Sequence, residues 1–134
     1  MSKLIIFEKK SDHRGHLTFL EEAKEIPFNI KRVYYLHNTA KGASRGFHAH
    51  KKLEQIAICV AGSCEIILDD GFKRETFFLD TPDVGLYIGN YVWREIHNFS
   101  SDCVLLVLAS AKYEENDYIR DYQIFMTEAQ NGKK

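Results

Sequence analysis

Short apolar runs, rich in β-branched and aromatic residues, recur along this chain with turn-forming residues between them. They cover Leu4 to Phe7, Leu17 to Leu20, Lys31 to His37, Gln55 to Val60, Ser63 to Leu68, Arg74 to Leu79, Gly85 to Ile88 and Val104 to Ser110. That cadence predicts an all-β sandwich or barrel. Asp69-Asp70-Gly71, between Glu65-Ile66-Ile67-Leu68 and Lys73-Arg74-Glu75-Thr76, carries the Asp-Gly step of a tight hairpin. The run Val104-Leu105-Leu106-Val107-Leu108-Ala109 is continuously apolar but too short for a helix, so it predicts a strand buried on both faces. From Glu114 to Gln130 glycine and proline are absent, and Tyr118, Tyr122, Phe125 and Met126 fall at helical spacing. A short C-terminal helix is expected within about residues 112–130, followed by a frayed end at Asn131-Gly132-Lys133-Lys134.

At 134 residues the chain fits one domain, 1–134, able to bury a core without disulfides. Hydrophobic residues make up 45% and the net charge is −1, a balance that points away from nucleic acid and towards a pocket. Cys59, Cys64 and Cys103 are odd in number and sit in apolar runs without CxxC spacing. They read as reduced, buried thiols of a cytoplasmic protein. The apolar start, Met1 to Phe7, is cut off by Glu8-Lys9-Lys10 and is too short for a signal peptide or a membrane span, so an edge strand is expected.

The candidate chemistry lies in Arg45-Gly46-Phe47-His48-Ala49-His50-Lys51-Lys52-Leu53-Glu54. On a strand, His48 and His50 project from one face while Phe47, Ala49 and Lys51 project from the other. The pattern Gly42-x5-His48-x-His50-x3-Glu54-x7-Gly62 closely resembles the first signature of the cupin superfamily, whose small barrels hold either a metal or an acid/base pair. The second cupin signature supplies one more histidine. Here Gly89-Asn90-Tyr91-Val92-Trp93-Arg94 puts an arginine at that place, and a guanidinium has no lone pair for a metal. His97 lies three residues on, an offset that turns it to the opposite face unless a bulge intervenes. No metal is therefore expected, and two histidines with ordinary pKa near 6.5 are suited to moving protons at neutral pH. Glu54 would then orient a histidine or pair with Lys52 or Arg94.

The runs Lys31-Arg32-Val33-Tyr34-Tyr35 and Arg45 to Gln55 resemble the sugar 3,4-ketoisomerases. The likeness continues through Leu68-Asp69-Asp70-Gly71, Val84 to Gly89, Val92-Trp93, Asn98 to Cys103, Val107 to Ser110 and Asp117-Tyr118-Ile119-Arg120-Asp121-Tyr122. It spans nearly the whole chain, from about Asp12 to Tyr122. Asp12-His13-Arg14-Gly15 also resembles a feature of the related metal-free 3,5-epimerases of dTDP sugars, where such an arginine meets the pyrophosphate.

The resemblance implies a single-domain cupin, a jelly-roll β-barrel with a short C-terminal helix. It implies conversion of dTDP-4-keto-6-deoxyglucose into a 3-keto isomer through an enediol, without a cofactor, for deoxyamino-sugar biosynthesis. His50 is taken as the carbon base and His48 as its partner at the oxygens, although the sequence equally allows the reverse. One of Tyr34 and Tyr35, which have opposite strand parity, should enter the pocket and serve a sugar oxygen; Tyr35 is the candidate. Arg14 and Arg45 are candidates for the diphosphate and Trp93 for a pocket wall. Arg94 and His16 are candidates for deciding which face of C4 is protonated. A homodimer is expected, with exchange of the apolar first strand. The rival classes are a 3,5-epimerase, a metal-dependent cupin oxygenase and a non-catalytic sugar-binding cupin.

Overall fold

Two antiparallel five-stranded sheets and a separate hairpin form the fold in the computed structural model, which describes residues 2–132. Met1, Lys133 and Lys134, and with them the outermost positions of the expected edge strand and frayed tail, lie outside the described residues. In chain order the strands are β1 (Ser2–Ile6), β2 (Glu8–Asp12), β3 (Gly15–Phe19), β4 (Arg32–Leu36), β5 (Arg45–His50), β6 (Gln55–Ala61), β7 (Cys64–Asp69), β8 (Arg74–Leu79), β9 (Val84–Ile88), β10 (Trp93–His97), β11 (Val104–Ala109) and β12 (Tyr118–Ile119). One sheet has the order β1-β9-β6-β11-β4, the other β12-β5-β10-β7-β8, and β2 pairs with β3 alone.

The inner faces of the two sheets meet over Ala57, Cys59, Cys64, Ile66, Leu68, Leu79, Leu86, Ile88, Leu105 and Val107. The three cysteines are buried and free, with sulfurs within 4.8 Å of one another. Alternation along β6 and β11 sends Ile56, Ile58 and Leu108 to the other face of the first sheet, where Phe7, Ile26 and Phe28 cover them. This explains the unbroken apolar run of β11, a strand with core on both sides. The outer face of the second sheet is covered by α1 (Tyr122–Gln130), whose Phe125 and Ala129 pack on Ala49, Trp93 and Ile119.

The C-terminal expectation needs correcting at its start. The helix begins at Tyr122, where the Asp121 side chain accepts from the backbone N–H groups of Gln123 and Ile124 at 2.9 and 3.1 Å. Before it come a single 3-10 turn, Glu115–Asp117, and β12, in which Tyr118 pairs with His50 and Ile119 with Ala49. Pairing with the exposed edge of β5 therefore overrides the helical spacing of Tyr118. The hairpin β2–β3 carried little hydrophobic signal, because β2 is exposed along its whole length. The Asp69-Asp70-Gly71 hairpin forms as expected: Asp69 pairs with Arg74, and Gly71 N–H donates to Asp69 Oδ1 at 2.8 Å.

Candidate active site

A bulge in β5 aims the site. Across the β5–β10 ladder Arg94 faces His48 and Glu95 faces Gly46, leaving Phe47 as the extra residue. Phe47 and Gly46 both take positive φ, 60° and 94°. A Cβ at Gly46 would stand 2.9 Å from the Arg94 carbonyl oxygen, so this position needs glycine. The extra residue also turns Arg45 to the side of the histidines: Arg45 faces Ile96, and both line the same cavity as His48.

That cavity, about 340 Å³, lies between the sheets and is lined by Arg32, Tyr34, Arg45, His48, Arg94 and Tyr118, with aliphatic residues behind them. His48 and His50 stand edge to face with ring centres 4.9 Å apart, and Tyr118 lies 4.9 Å from one and 4.3 Å from the other. His50 Nδ1 is 3.1 Å from Asp117 Oδ2, and the same carboxylate accepts from the backbone N–H groups of Lys52 and Leu53 at 2.8 and 3.2 Å. An ionised carboxylate only accepts, so Nδ1 carries the proton and Nε2 keeps its lone pair. Nε2 is buried without a partner among the described residues, and so is His48 Nδ1.

Burial first, and the Arg94 charge second, push His48 down to about 4. The same two causes act in the same order on His50, which also sits low; its hydrogen bond to the Asp117 carboxylate fixes the tautomer. Both rings are therefore neutral at neutral pH. Arg94 is 3% exposed and pushed down to about 10 by burial, so it remains a cation there. Its Nη1 donates to Gln55 Oε1 and its Nη2 to the Val92 carbonyl at 2.9 Å. Since arginine can only donate, Gln55 must present its oxygen to Arg94 and its amide nitrogen to Tyr34, which accepts at 2.8 Å. The Tyr34 hydroxyl proton is thereby left free to point elsewhere, and burial raises its pKa.

Several sequence candidates fall in different places. Tyr35 is not in the cavity: it is 59% exposed on the outer face of β4, and the pocket tyrosine is Tyr34, because the inner parity of β4 belongs to Arg32, Tyr34 and Leu36. Trp93 is not a pocket wall either. Odd positions of β10 face outward, so Trp93 packs edge to face on Tyr122 at 5.2 Å and donates from Nε1 to Glu95 at 3.0 Å. Arg14 and His16 sit on the β2–β3 hairpin and do not line the cavity; Arg14 pairs with Asp12 at 2.6 Å and His16 Nδ1 lies 2.7 Å from Ser11 Oγ. Glu54 neither orients a histidine nor pairs with Arg94, since it accepts from Tyr87 at 2.5 Å. His97 faces outward too, between Glu95 and Ser44 at 3.0 and 2.7 Å. Asp117 and Gln55 went unnoticed as site residues, and Tyr34 was the alternative to Tyr35; Asp117 lay inside the segment read as helix, and a turn there would have been its signal.

The family model described as FdtA: WxcM-like, C-terminal, matches residues 1–130. The chain belongs to this family. A relative named TDP-4-oxo-6-deoxy-alpha-D-glucose-3,4-oxoisomerase, of Aneurinibacillus thermoaerophilus, is 57% identical over 124 residues, which is 92% of this chain and 89% of that one. The solved structure of a 3,4-ketoisomerase from Helicobacter canadensis is 50% identical, with a TM-score of 0.92 over 96% of this chain and 97% of its own. A sugar 3,4-ketoisomerase from Thermoanaerobacterium thermosaccharolyticum, solved with TDP bound, is 48% identical, with a TM-score of 0.94 over 97% and 95% of the two chains. The FdtA-family chain described here thus shares the cupin-like fold of those enzymes from end to end.

Proposed function

We propose that this protein is a TDP-sugar 3,4-ketoisomerase that moves the ketone of TDP-4-keto-6-deoxyglucose from C4 to C3. The observation that carries the chemistry is the neutral, Asp117-held His50, with a buried lone pair at Nε2 and its ring 4.9 Å from that of His48, which faces Arg94 across the ladder. The relatives named for this activity supply the substrate class.

The steps follow from the groups present. The C3 hydrogen is acidified by the neighbouring C4 ketone, and His50 Nε2 removes it as an enediolate forms across C3 and C4. The resulting imidazolium is stabilised by Asp117. Arg94 offers positive charge to the oxygen that becomes anionic, without proton transfer of its own. The Tyr34 hydroxyl donates to a sugar oxygen, and His48, neutral with a free Nδ1, carries the O3 proton towards O4. His50 then returns its proton to C4, leaving the ketone at C3 and a hydroxyl at C4, with no net electron or proton change. Arg94, facing His48 across the ladder, biases the face of C4 that is protonated. Arg45, exposed on the cavity rim, meets the diphosphate.

We read the assembly as a homodimer. Leu4 and Ile6 on the edge strand β1 are 50% and 80% exposed, and Leu17 on the hairpin is 60% exposed, an apolar surface suited to a second copy. Arg14 and His16 would then reach the site of that copy, the hairpin being apart from its own cavity. Three free buried cysteines support a reducing, cytoplasmic setting. No described helix is long and apolar enough to cross a membrane.

The test is proton NMR of the purified protein with TDP-4-keto-6-deoxyglucose. The proposal expects a 3-keto-6-deoxy product whose C4 proton coupling reports gluco or galacto configuration. A ketone that stays at C4 while C3 or C5 inverts would make the protein an epimerase instead.

A further inference from the structure

Four buried side-chain nitrogens have no partner among the described residues: Arg32 Nε, His48 Nδ1, His50 Nε2 and Arg94 Nε. Three belong to the chemistry above, and the fourth is on a residue that neither the sequence nor the proposed steps assign. Arg32 opens β4 on its inner parity. It and Tyr118 line both the 340 Å³ cavity and an adjoining cleft of about 460 Å³, whose lining includes His50, Glu54 and Asp117, so the two spaces meet at Arg32 and Tyr118. Its guanidinium lies 5.3 Å from the ring centre of Tyr34 and 6.0 Å from that of Tyr113. Such contact holds the plane of the fork and leaves its N–H edge unused.

Among the described residues no carboxylate pairs with Arg32. Of the acids lining that cleft, Asp117 is engaged by His50 and two backbone N–H groups and Glu54 by Tyr87, while Glu114 is exposed to solvent. A guanidinium cannot shed its charge, and a half-buried cation with a buried, unpaired N–H is costly until an anion arrives. Two anions are available to a nucleotide sugar: the diphosphate and the enediolate. The rim arginine, Arg45, is exposed and suits the diphosphate. Arg32 lines the same cleft as His50 and, through its contact with Tyr34, borders the cavity of His48 and Arg94, which suits the reacting carbons.

We propose that Arg32 is a catalytic residue of the isomerisation, its N–H edge donating to the sugar oxygen that becomes negative in the enediolate while Arg94 supplies the second cation. This rests on the ketoisomerase reading. Arg94 is tethered at both terminal nitrogens by Gln55 and Val92, leaving only Nε and its fixed charge to offer, whereas Arg32, with no side-chain hydrogen bond among the described residues, makes the directed hydrogen bonds.

The experiment compares Arg32→Ala and Arg32→Lys with the unaltered protein, measuring kcat on TDP-4-keto-6-deoxyglucose, the dissociation constant for TDP, and kcat with added guanidinium ion. Arg32→Ala should lose about a hundredfold or more in kcat, hold TDP within about twofold, and regain activity with guanidinium, which fills the vacated fork. Arg32→Lys, which keeps the charge and the fold, should lose about tenfold in kcat at unchanged TDP affinity. Retained kcat in both variants would overturn the proposal. A loss of TDP affinity of about tenfold or more, with or without a loss of kcat, would also overturn it by giving Arg32 to the diphosphate. Failure of the ketoisomerase reading itself would look different, since the unaltered protein would then form no 3-keto product.

Discussion

The two faces of the second sheet are both polar, yet they treat their polar groups in opposite ways. On the outer face Arg74 bridges Asp69 and Glu95 at 3.0 and 2.8 Å, Tyr122 donates to Asp69 at 2.5 Å, and Trp93 and His97 donate to Glu95. Burial alone would raise the Glu95 pKa, but hydrogen bonds from His97, Arg74 and Trp93 outweigh it and hold the carboxyl below its usual range. On the inner face of the same sheet, His48, His50 and Arg94 each keep a buried nitrogen that has no partner among the described residues. A satisfied network contributes to stability, whereas an unsatisfied one costs it and is retained where a ligand completes the bonds. The difference shows which face is architecture and which is site, with no appeal to a motif.

The largest effect that would break this contrast is expected at His50. His50→Asn, unable to take a carbon proton, should lower kcat by about a thousandfold, while the melting temperature changes little because no satisfied bond of the fold apart from that to Asp117 is lost. Phe125→Ala, on the opposite face, should do the reverse. Emptying a fully buried aromatic site beneath α1 costs about 3–5 kcal/mol in urea denaturation, with kcat per folded molecule unchanged. Asp117→Asn lies between the two, because its carboxylate orients His50 without touching substrate. A loss of about tenfold to a hundredfold in kcat is expected, with a greater effect on kcat than on KM.

A gentler probe is pH. The unfolded chain protonates its histidines near 6.5, whereas native His48 does so at about 4 and native His50 also below its ordinary value. Between those limits the unfolded state binds more protons, so stability is full above pH 6.5 and is lost as pH falls towards 4. The kcat/KM profile should accordingly pass through 6.5 without an inflection and fall only nearer 4. An acid limb at 6.5 would mean that the histidines are solvated. The smallest effect is expected at Tyr35→Phe, which should leave kcat within about twofold, since that side chain stands outside the cavity, whereas Tyr34→Phe removes the hydroxyl that Gln55 directs inward.

Much of the fold was readable because period-two alternation is local: the strand runs, the hairpin at Asp69-Asp70-Gly71 and the doubly buried β11 need only neighbouring residues. The shared face of His48 and His50 was readable for the same reason. Parity puts Tyr34 and Tyr35, and likewise Trp93 and Arg94, on opposite faces, but without a reference direction it could not say which of each pair faces inward. That direction comes from the opposite sheet. The β5 bulge that brings Arg45 round to the histidines depends on positive φ at Gly46 and Phe47, for which Phe47 gives no sign. Asp117 was missed because a pairing with the distant strand β5 replaces the helix that its local spacing suggested.

The central claim, that His50 moves one proton from C3 to C4, is tested most directly by following the C3 hydrogen in D2O with TDP-4-keto-6-deoxyglucose. The account predicts loss of the C3–H signal and formation of the 3-keto product with the unaltered protein, and retention of C3–H with His50→Asn while TDP still binds. Exchange at C3 that continues in His50→Asn would contradict the account and move the base elsewhere in the cavity.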